Sequence, residues 1–200
     1  GALRLTQTPQ ARAALAVALS EQAQTPKLAL EFAKQAVKAD PASPVALARL
    51  AVCLRALGKE RAARKTLQKG WQAAPHRLLA AAWLSPEATP LARAQEAAQL
   101  ASFYPGHMES ELLLGETALA AKLTGEAKRH AEAALKAGNE DGRAAAILAA
   151  LENRPAPPVR PAWRCTSCQT QSESWYCACP SCGQIGSFVD NASGKAVIKL

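Results

Sequence analysis

Pro44–Pro75 reads PVALARLAVCLRALGKERAARKTLQKGWQAAP, and the reading of this stretch decides the fold. Its first part places Leu47, Leu50, Ala51 and Leu54 at helical spacing on one face. Gly58 interrupts that pattern. KERAARKTLQKGWQAA then forms a second amphipathic segment, with Ala63, Leu67 and Gly70 on its apolar side. Pro75 ends it, because proline lacks the backbone amide and clashes with the preceding turn. Small residues on the facing sides let two helices approach closely, so the stretch reads as a helix–turn–helix unit.

The unit recurs. Thirty-four residues back, Pro75 maps onto Pro41, Ala63 onto Ala29 and Leu67 onto Ala33. A period of this length with small, bulky, small and proline positions resembles the tetratricopeptide repeat. Forward, the register loosens, since Pro105 follows Pro75 by only thirty residues. RLLAAAWL and LARAQEAAQLASFY lie between those prolines, with SPEATP as their turn. MESELLLGETALAAKL and EAKRHAEAALKA follow around a break at Thr124-Gly125, and GRAAAILAALEN reads as a cap. The resemblance spans roughly residues 9–153 and implies about four helix pairs plus a cap. Single pairs cannot bury their apolar faces alone, so neighbours stack into a curved solenoid. The resemblance also implies a concave face that receives protein partners.

Composition agrees with a mostly α fold. Of 200 residues, 49% are hydrophobic but only 4% are aromatic, and alanine dominates. Alanine loses no side-chain entropy in a helix, so such a chain favours closely packed helices over a sheet. The formal net charge is +8, with basic residues such as Arg49, Arg55, Lys59, Arg64 and Lys69 dispersed singly rather than massed. No arginine-rich tract or RNP motif accompanies that charge, and no nucleic-acid partner is expected; a nucleic-acid-binding module using the C-terminal cysteine ribbon and the positive charge is the alternative reading. No apolar run reaches transmembrane length, and the first residues lack the pattern of a signal peptide. The chain as given is expected to be soluble. It opens at Gly1 without a methionine, which suits a piece of a longer protein.

A proline-rich linker, residues 154–162, separates the repeats (1–153) from a small C-terminal module (163–200). NRPAPPVRPAW carries four prolines, which forbids helix and favours an extended, semi-stiff path. Beyond it runs WRCTSCQTQSESWYCACPSCGQIGSF. Cys165 with Cys168, and Cys179 with Cys182, form two C-x-x-C pairs, the spacing that brings four thiolates to the corners of a tetrahedron. Pro180 and Gly183 frame the second pair as C-P-S-C-G, Gly183 supplying the positive φ of the knuckle. Gln169 stands where the first pair would have glycine. One structural Zn²⁺ per chain is the expected cofactor, in a β-rich, rubredoxin-like zinc ribbon. Iron shares this ligand set, and disulfides are the alternative in an oxidising compartment. Cys177 offers a second register with Cys182, but the C-P-S-C-G frame favours Cys179. A module of about forty residues with so few bulky hydrophobics needs metal binding to fold. Trp163, Trp175 and Phe188 are expected to cover the ribbon and pack against the last repeat helices, and 191–194 reads as a hairpin turn. Cys53, inside a repeat helix, reads as a small core hydrophobe.

No constellation for catalysis is present. His76, His107 and His130 fall in different repeats, none beside a nucleophile motif. Glu109, Glu111 and Glu116 lie near one helix start, where the dipole favours acids. A four-cysteine site has no open position for substrate. The chain is expected not to be an enzyme.

Repeats followed by a short ribbon resemble two bacterial families. One is the HemY family, and the other is the lipopolysaccharide assembly protein B family, an adaptor with a rubredoxin-like end. Pro161-Ala162-Trp163-Arg164-Cys165, Trp175 and Cys179-Pro180-Ser181-Cys182-Gly183 resemble the end of some HemY members. That resemblance implies a scaffold for haem-pathway enzymes at the cytoplasmic face of a bacterial inner membrane, held by an N-terminal anchor absent here. The second family implies an adaptor for a membrane protease.

Overall fold

A computed structural model describes residues 8–191. Its helices are α1 (Pro9–Gln22), α2 (Pro26–Ala39), α3 (Pro44–Ala56), α4 (Glu60–Ala73), α5 (Arg77–Trp83), α6 (Pro90–Ala101), α7 (Met108–Ala120), α8 (Thr124–Lys136) and α9 (Arg143–Leu151). These are four hairpins and a closing helix, stacked as a tetratricopeptide-like solenoid. None of the described helices is long and apolar enough to cross a membrane.

The helix starts are written into the sequence by a device that recurs. Thr8-Pro9, Thr25-Pro26, Ser43-Pro44 and Thr89-Pro90 each pair a hydroxyl cap with proline in the first turn. The hydroxyl oxygen accepts the otherwise orphaned amide three residues on, as Ser43 does from Ala46 at 3.3 Å. Histidine replaces the hydroxyl twice. Nδ1 of His76 accepts from the Leu78 amide and Nδ1 of His107 from the Glu109 amide, each at 3.1 Å. The break before α8 differs from expectation. Lys122 takes the left-handed turn at φ +61°, and Thr124-Gly125 already belongs to the helix. The amide of Leu123 closes that turn on the Ala118 carbonyl at 2.9 Å, which a lysine backbone tolerates at modest cost.

Packing follows the small–bulky pattern. Trp71, Trp83, Leu67, Leu79 and Leu100 are fully buried, and they form one core with Ala63 and Ala97. A second core joins α7, α8 and α9 through Leu112, Ala131 and Ile147. At Gly70 an added Cβ would sit 3.0 Å from Leu47 Cδ1 and 3.1 Å from Leu79 Cδ1, so the absent side chain is what lets α3 and α5 close on α4.

The carboxylates at the start of α7 do more than complement its dipole. Arg143 of α9 donates to both Glu109 oxygens at 2.9 and 2.8 Å and to both Glu116 oxygens at 2.7 and 3.0 Å. Asp141, 2% exposed, accepts from the Asn139 side chain and the Arg143 amide and meets Arg77. Glu111 pairs with His130 Nδ1 at 2.7 Å. These links tie α5, α7, α8 and α9 together.

Beyond α9 the proline-rich stretch is extended and docked, with the Arg160 amide donating to the Asp141 carbonyl at 2.7 Å. The C-terminal module is a three-stranded antiparallel sheet in the order β2-β1-β3: β1 Trp163–Cys165, β2 Gln171–Ser172 and β3 Phe188–Asp190. Trp163 faces Ser172 and Asp190 across its two neighbours, and Cys165 faces Phe188. The expected hairpin turn at 191–194 lies outside the described residues except for Asn191.

The ribbon does not lean on the last repeat helices, as its aromatics are expected to do from sequence. Trp163 and Phe188 pack with Val45 of α3 and Leu78 of α5, and Trp175 packs among Ala16, Val17, Ala36 and Ala46 of the first two hairpins. The reason is reach. Nine extended linker residues span about 28 Å at about 3.1 Å each, enough to carry the chain back across the stack. Gly186, at φ +63°, marks the far end of that return. A Cβ there would fall 2.7 Å from the Ala11 backbone, so only glycine lets the ribbon touch α1.

Candidate metal centre

Two backbone knuckles build the cysteine cluster. In the first, the Gln169 amide donates to the Cys165 carbonyl at 3.0 Å; in the second, the Gly183 amide donates to the Cys179 carbonyl at 2.8 Å. Gly183 holds φ +71°, and Gln169 adopts the same left-handed conformation at +63°. The missing glycine is therefore a change of residue without a change of turn. The Gln169 side chain partly offsets that strain by donating to the Thr166 carbonyl at 3.1 Å.

The knuckles face each other. Sulfur atoms of Cys165, Cys168, Cys179 and Cys182 all lie within 4.8 Å of one another, with Cys165–Cys182 at 3.8 Å and Cys168–Cys179 at 3.6 Å. A tetrahedron of thiolates about 2.3 Å from a central ion has edges of about 3.8 Å. The separations fit that figure, and all four thiols are free rather than paired as disulfides. Four soft, chargeable sulfurs at this spacing form a set that could hold a metal ion.

The surroundings favour thiolate at the buried corner. Burial opposes charge on Cys165, but the Ser187 hydroxyl and the amides of Cys168 and Ser167 outweigh it and bring the thiol down to about 6. Ser187 Oγ lies 3.2 Å from the Cys165 sulfur and within 3.0 Å of the Gln184 carbonyl oxygen, with one proton to share between them. Cys168 and Cys182 are exposed while Cys165 and Cys179 are buried, so one edge of the cluster faces the ribbon core and the other faces solvent.

Cys177 stands apart from the set. Its sulfur is not among the four that converge. Cys53 is buried in the repeat core, with its sulfur 3.5 Å from the Ser20 hydroxyl. His76, His107 and His130 do not converge: two cap helices and the third pairs with Glu111. Sequence reasoning missed the Asp141–Arg143–Glu109 network, because its members are separated along the chain and only stacking brings them together.

Stacked helical hairpins with a small cysteine-clustered ribbon at the end define the fold: a tetratricopeptide-like helical solenoid. Residues 22–83 match the tetratricopeptide repeat family, whose domains work through protein–protein interaction. The chain is also 30% identical over 199 aligned residues to a probable magnetosome protein, Mms48, of Magnetospirillum gryphiswaldense. That alignment covers 82% of this chain and 44% of the relative, so the chain spans less than half of that protein's length. Neither match singles out HemY or the lipopolysaccharide assembly family.

Proposed function

We propose that this chain is a non-catalytic protein–protein scaffold whose ribbon, closed around one structural Zn²⁺, is held against the repeats as a rigid part of the binding surface. The observation that carries the reading is the return of the ribbon onto α1, α3 and α5, with four cysteine sulfurs converging within it. A closed four-thiolate site contributes folding free energy and leaves no coordination position for substrate, so the metal's role is to hold the ribbon's shape. Cys165, Cys168, Cys179 and Cys182 are its ligands.

Haem-pathway enzymes as partners, and attachment to the cytoplasmic face of a bacterial inner membrane, are the narrower form of this proposal. Their support is the ribbon motif from Pro161 to Gly183 alone. The similarity to a protein named for the magnetosome makes a bacterial setting a reasonable one in which to test them.

Two measurements decide. Elemental analysis of the purified chain is expected to give about one zinc per chain and none after Cys165→Ser with Cys182→Ser; iron, or no metal, refutes the zinc assignment. In-cell crosslinking of the full-length protein is expected to capture a defined protein partner in its native host. Recovery of the protein alone refutes the scaffold.

A further inference from the structure

We infer that the outer sides of α2 and α4 form a docking surface for an anionic lipid bilayer, separate from the surface that the ribbon and repeats build together.

The positive charge of the chain is concentrated in one place. Residues 27–69 hold ten lysines and arginines against three acids, so +7 of the chain's +8 falls within 43 of its 200 residues. Along the sequence these cations stand singly, but the helical period gathers them. At about 100° per residue, Lys27, Lys34 and Lys38 lie within about 40° of one another around α2, on the side opposite the buried Ala36. Arg61, Lys65 and Lys69 follow at i, i+4 and i+8 on α4, with Lys65 and Lys69 opposite the buried Leu67. The repeat period aligns the two stripes, carrying Lys27 onto Arg61, Glu31 onto Lys65 and Gln35 onto Lys69. Ala29, Leu30 and Ala33 of α2 share one core with Ala63 and Leu67 of α4, so both helices turn their charged sides away from the same interior.

These charges are unpaired. All six cations are exposed, and none takes part in an ion pair among the described residues. Glu60, at the start of α4, is held by Arg55 and Arg64 at 3.0 and 3.1 Å. Glu31 is the single acid within the α2 stripe and is far outnumbered. The later helices carry no such face. α6 has one cation and one acid, and α8 has three cations against two acids, with Arg129 already on Glu126.

The chemistry of the face selects among anionic partners. Five of the six cations are lysines, and Leu28 is the one large hydrophobic that α2 and α4 expose. Protein interfaces deplete lysine and rely on aromatic and arginine anchors, and single-stranded nucleic acid is held by stacking on aromatic rings. The face also lacks a recess. The cavity of about 580 Å³ between ribbon and repeats is lined by none of the six. An array of lipid phosphates needs charge and no pocket, and clusters of about four to eight lysines and arginines on an amphipathic helix bind acidic lipids in this way.

The test uses the zinc-loaded chain and vesicles of phosphatidylcholine, alone or with about 30% phosphatidylglycerol, read by co-sedimentation. Binding is expected to the mixed vesicles only, and at least about tenfold more weakly at about 0.5 M than at about 0.05 M salt. Lys27→Gln with Lys34→Gln, Lys65→Gln and Lys69→Gln is expected to weaken it by about tenfold or more, and Lys34→Gln with Lys65→Gln alone by an intermediate factor. Arg12→Gln with Arg93→Gln, Lys128→Gln and Lys136→Gln removes the same charge from exposed positions elsewhere and is expected to weaken binding by less than about threefold. Glutamine keeps helix propensity, and far-ultraviolet circular dichroism checks that each variant is folded. Equal loss in the two four-site variants, equal binding to neutral vesicles, or no binding to either overturns the inference. Tighter binding to mixed-sequence duplex DNA than to the mixed vesicles, abolished by the α2 and α4 substitutions, assigns the face to nucleic acid and overturns it as well. Vesicle binding is measured without any protein partner, so failure of the scaffold reading leaves this inference standing, and its own failure leaves the scaffold standing.

Discussion

Replacing Arg143 by alanine tests the buried network that closes the repeat stack. The Arg143 side chain is 10% exposed and serves two carboxylates, Glu109 at 5% and Glu116 at 40% exposure. The Glu116 half is exposed enough to be worth less than about 1 kcal/mol. The Glu109 half is different, because removing the arginine strands a buried carboxylate, and breaking such a pair costs about 3–5 kcal/mol. Burial already pushes Glu109 up to about 7, with the Arg143 charge opposing the rise. Without Arg143 that opposition disappears and the folded state holds the proton more tightly still. Folded protein then binds more protons than unfolded chain above the ordinary glutamate range, so stability falls as pH rises. The loss relative to wild type is therefore expected to be smaller near about pH 5.5 than near about pH 8, where neutralising Glu109 is costly. Urea denaturation followed by far-ultraviolet circular dichroism at both pH values measures it. For a chain of this size the thermal midpoint should drop by about 6–20 °C. A loss below about 1 kcal/mol, or one equal to that of Glu116→Ala at both pH values, refutes the reasoning.

Three further outcomes are expected. Cys177→Ser leaves the zinc content at about one per chain, whereas Cys179→Ser lowers it; loss of metal from Cys177→Ser would reverse the ligand assignment. Gly186→Ala, with φ +63° and a Cβ 2.7 Å from Ala11, should undock the ribbon while sparing the metal. The signature is faster amide exchange in α1 with unchanged zinc, and unchanged protection of α1 argues against docking there. Burial lowers His76 to about 4, against the opposing charge of Asp190, so the folded state binds fewer protons than the unfolded chain between about 4 and about 6.5. Stability is full above that window and declines as pH falls through it, by up to about 3 kcal/mol, and His76→Asn should flatten the decline. A parallel decline in the variant refutes the assignment to His76.

Most of the repeat architecture was legible because it is local. Pro44 to Pro75 carries its own start, turn, small-residue contacts and stop, and each acts within a few residues of chain. The Thr-Pro and Ser-Pro pairs that open four helices are equally local, a cap followed by a proline suited to the first turn, but they were recognised only in the structure. The break before α8 was misplaced because glycine is the usual left-handed residue, and here Lys122 adopts that conformation in its stead. The cysteine cluster was legible for a related reason. C-x-x-C is a backbone motif, and Gln169 showed that the turn survives even where glycine is absent.

What the sequence by itself determined is the set of hairpins and the two knuckles, since both arise from interactions between residues close along the chain. Only the tertiary structure decided where the ribbon lies. No local pattern records that Gly186 meets Ala11, that the Trp163 and His76 rings pack at a tilt with centroids 5.4 Å apart, or that Arg143 reaches Glu109. Those contacts join residues dozens of positions apart, and they depend on the curvature of the stack and the reach of its linker. The cavity between ribbon and repeats is a product of that closure, so it has no signature in the sequence at all.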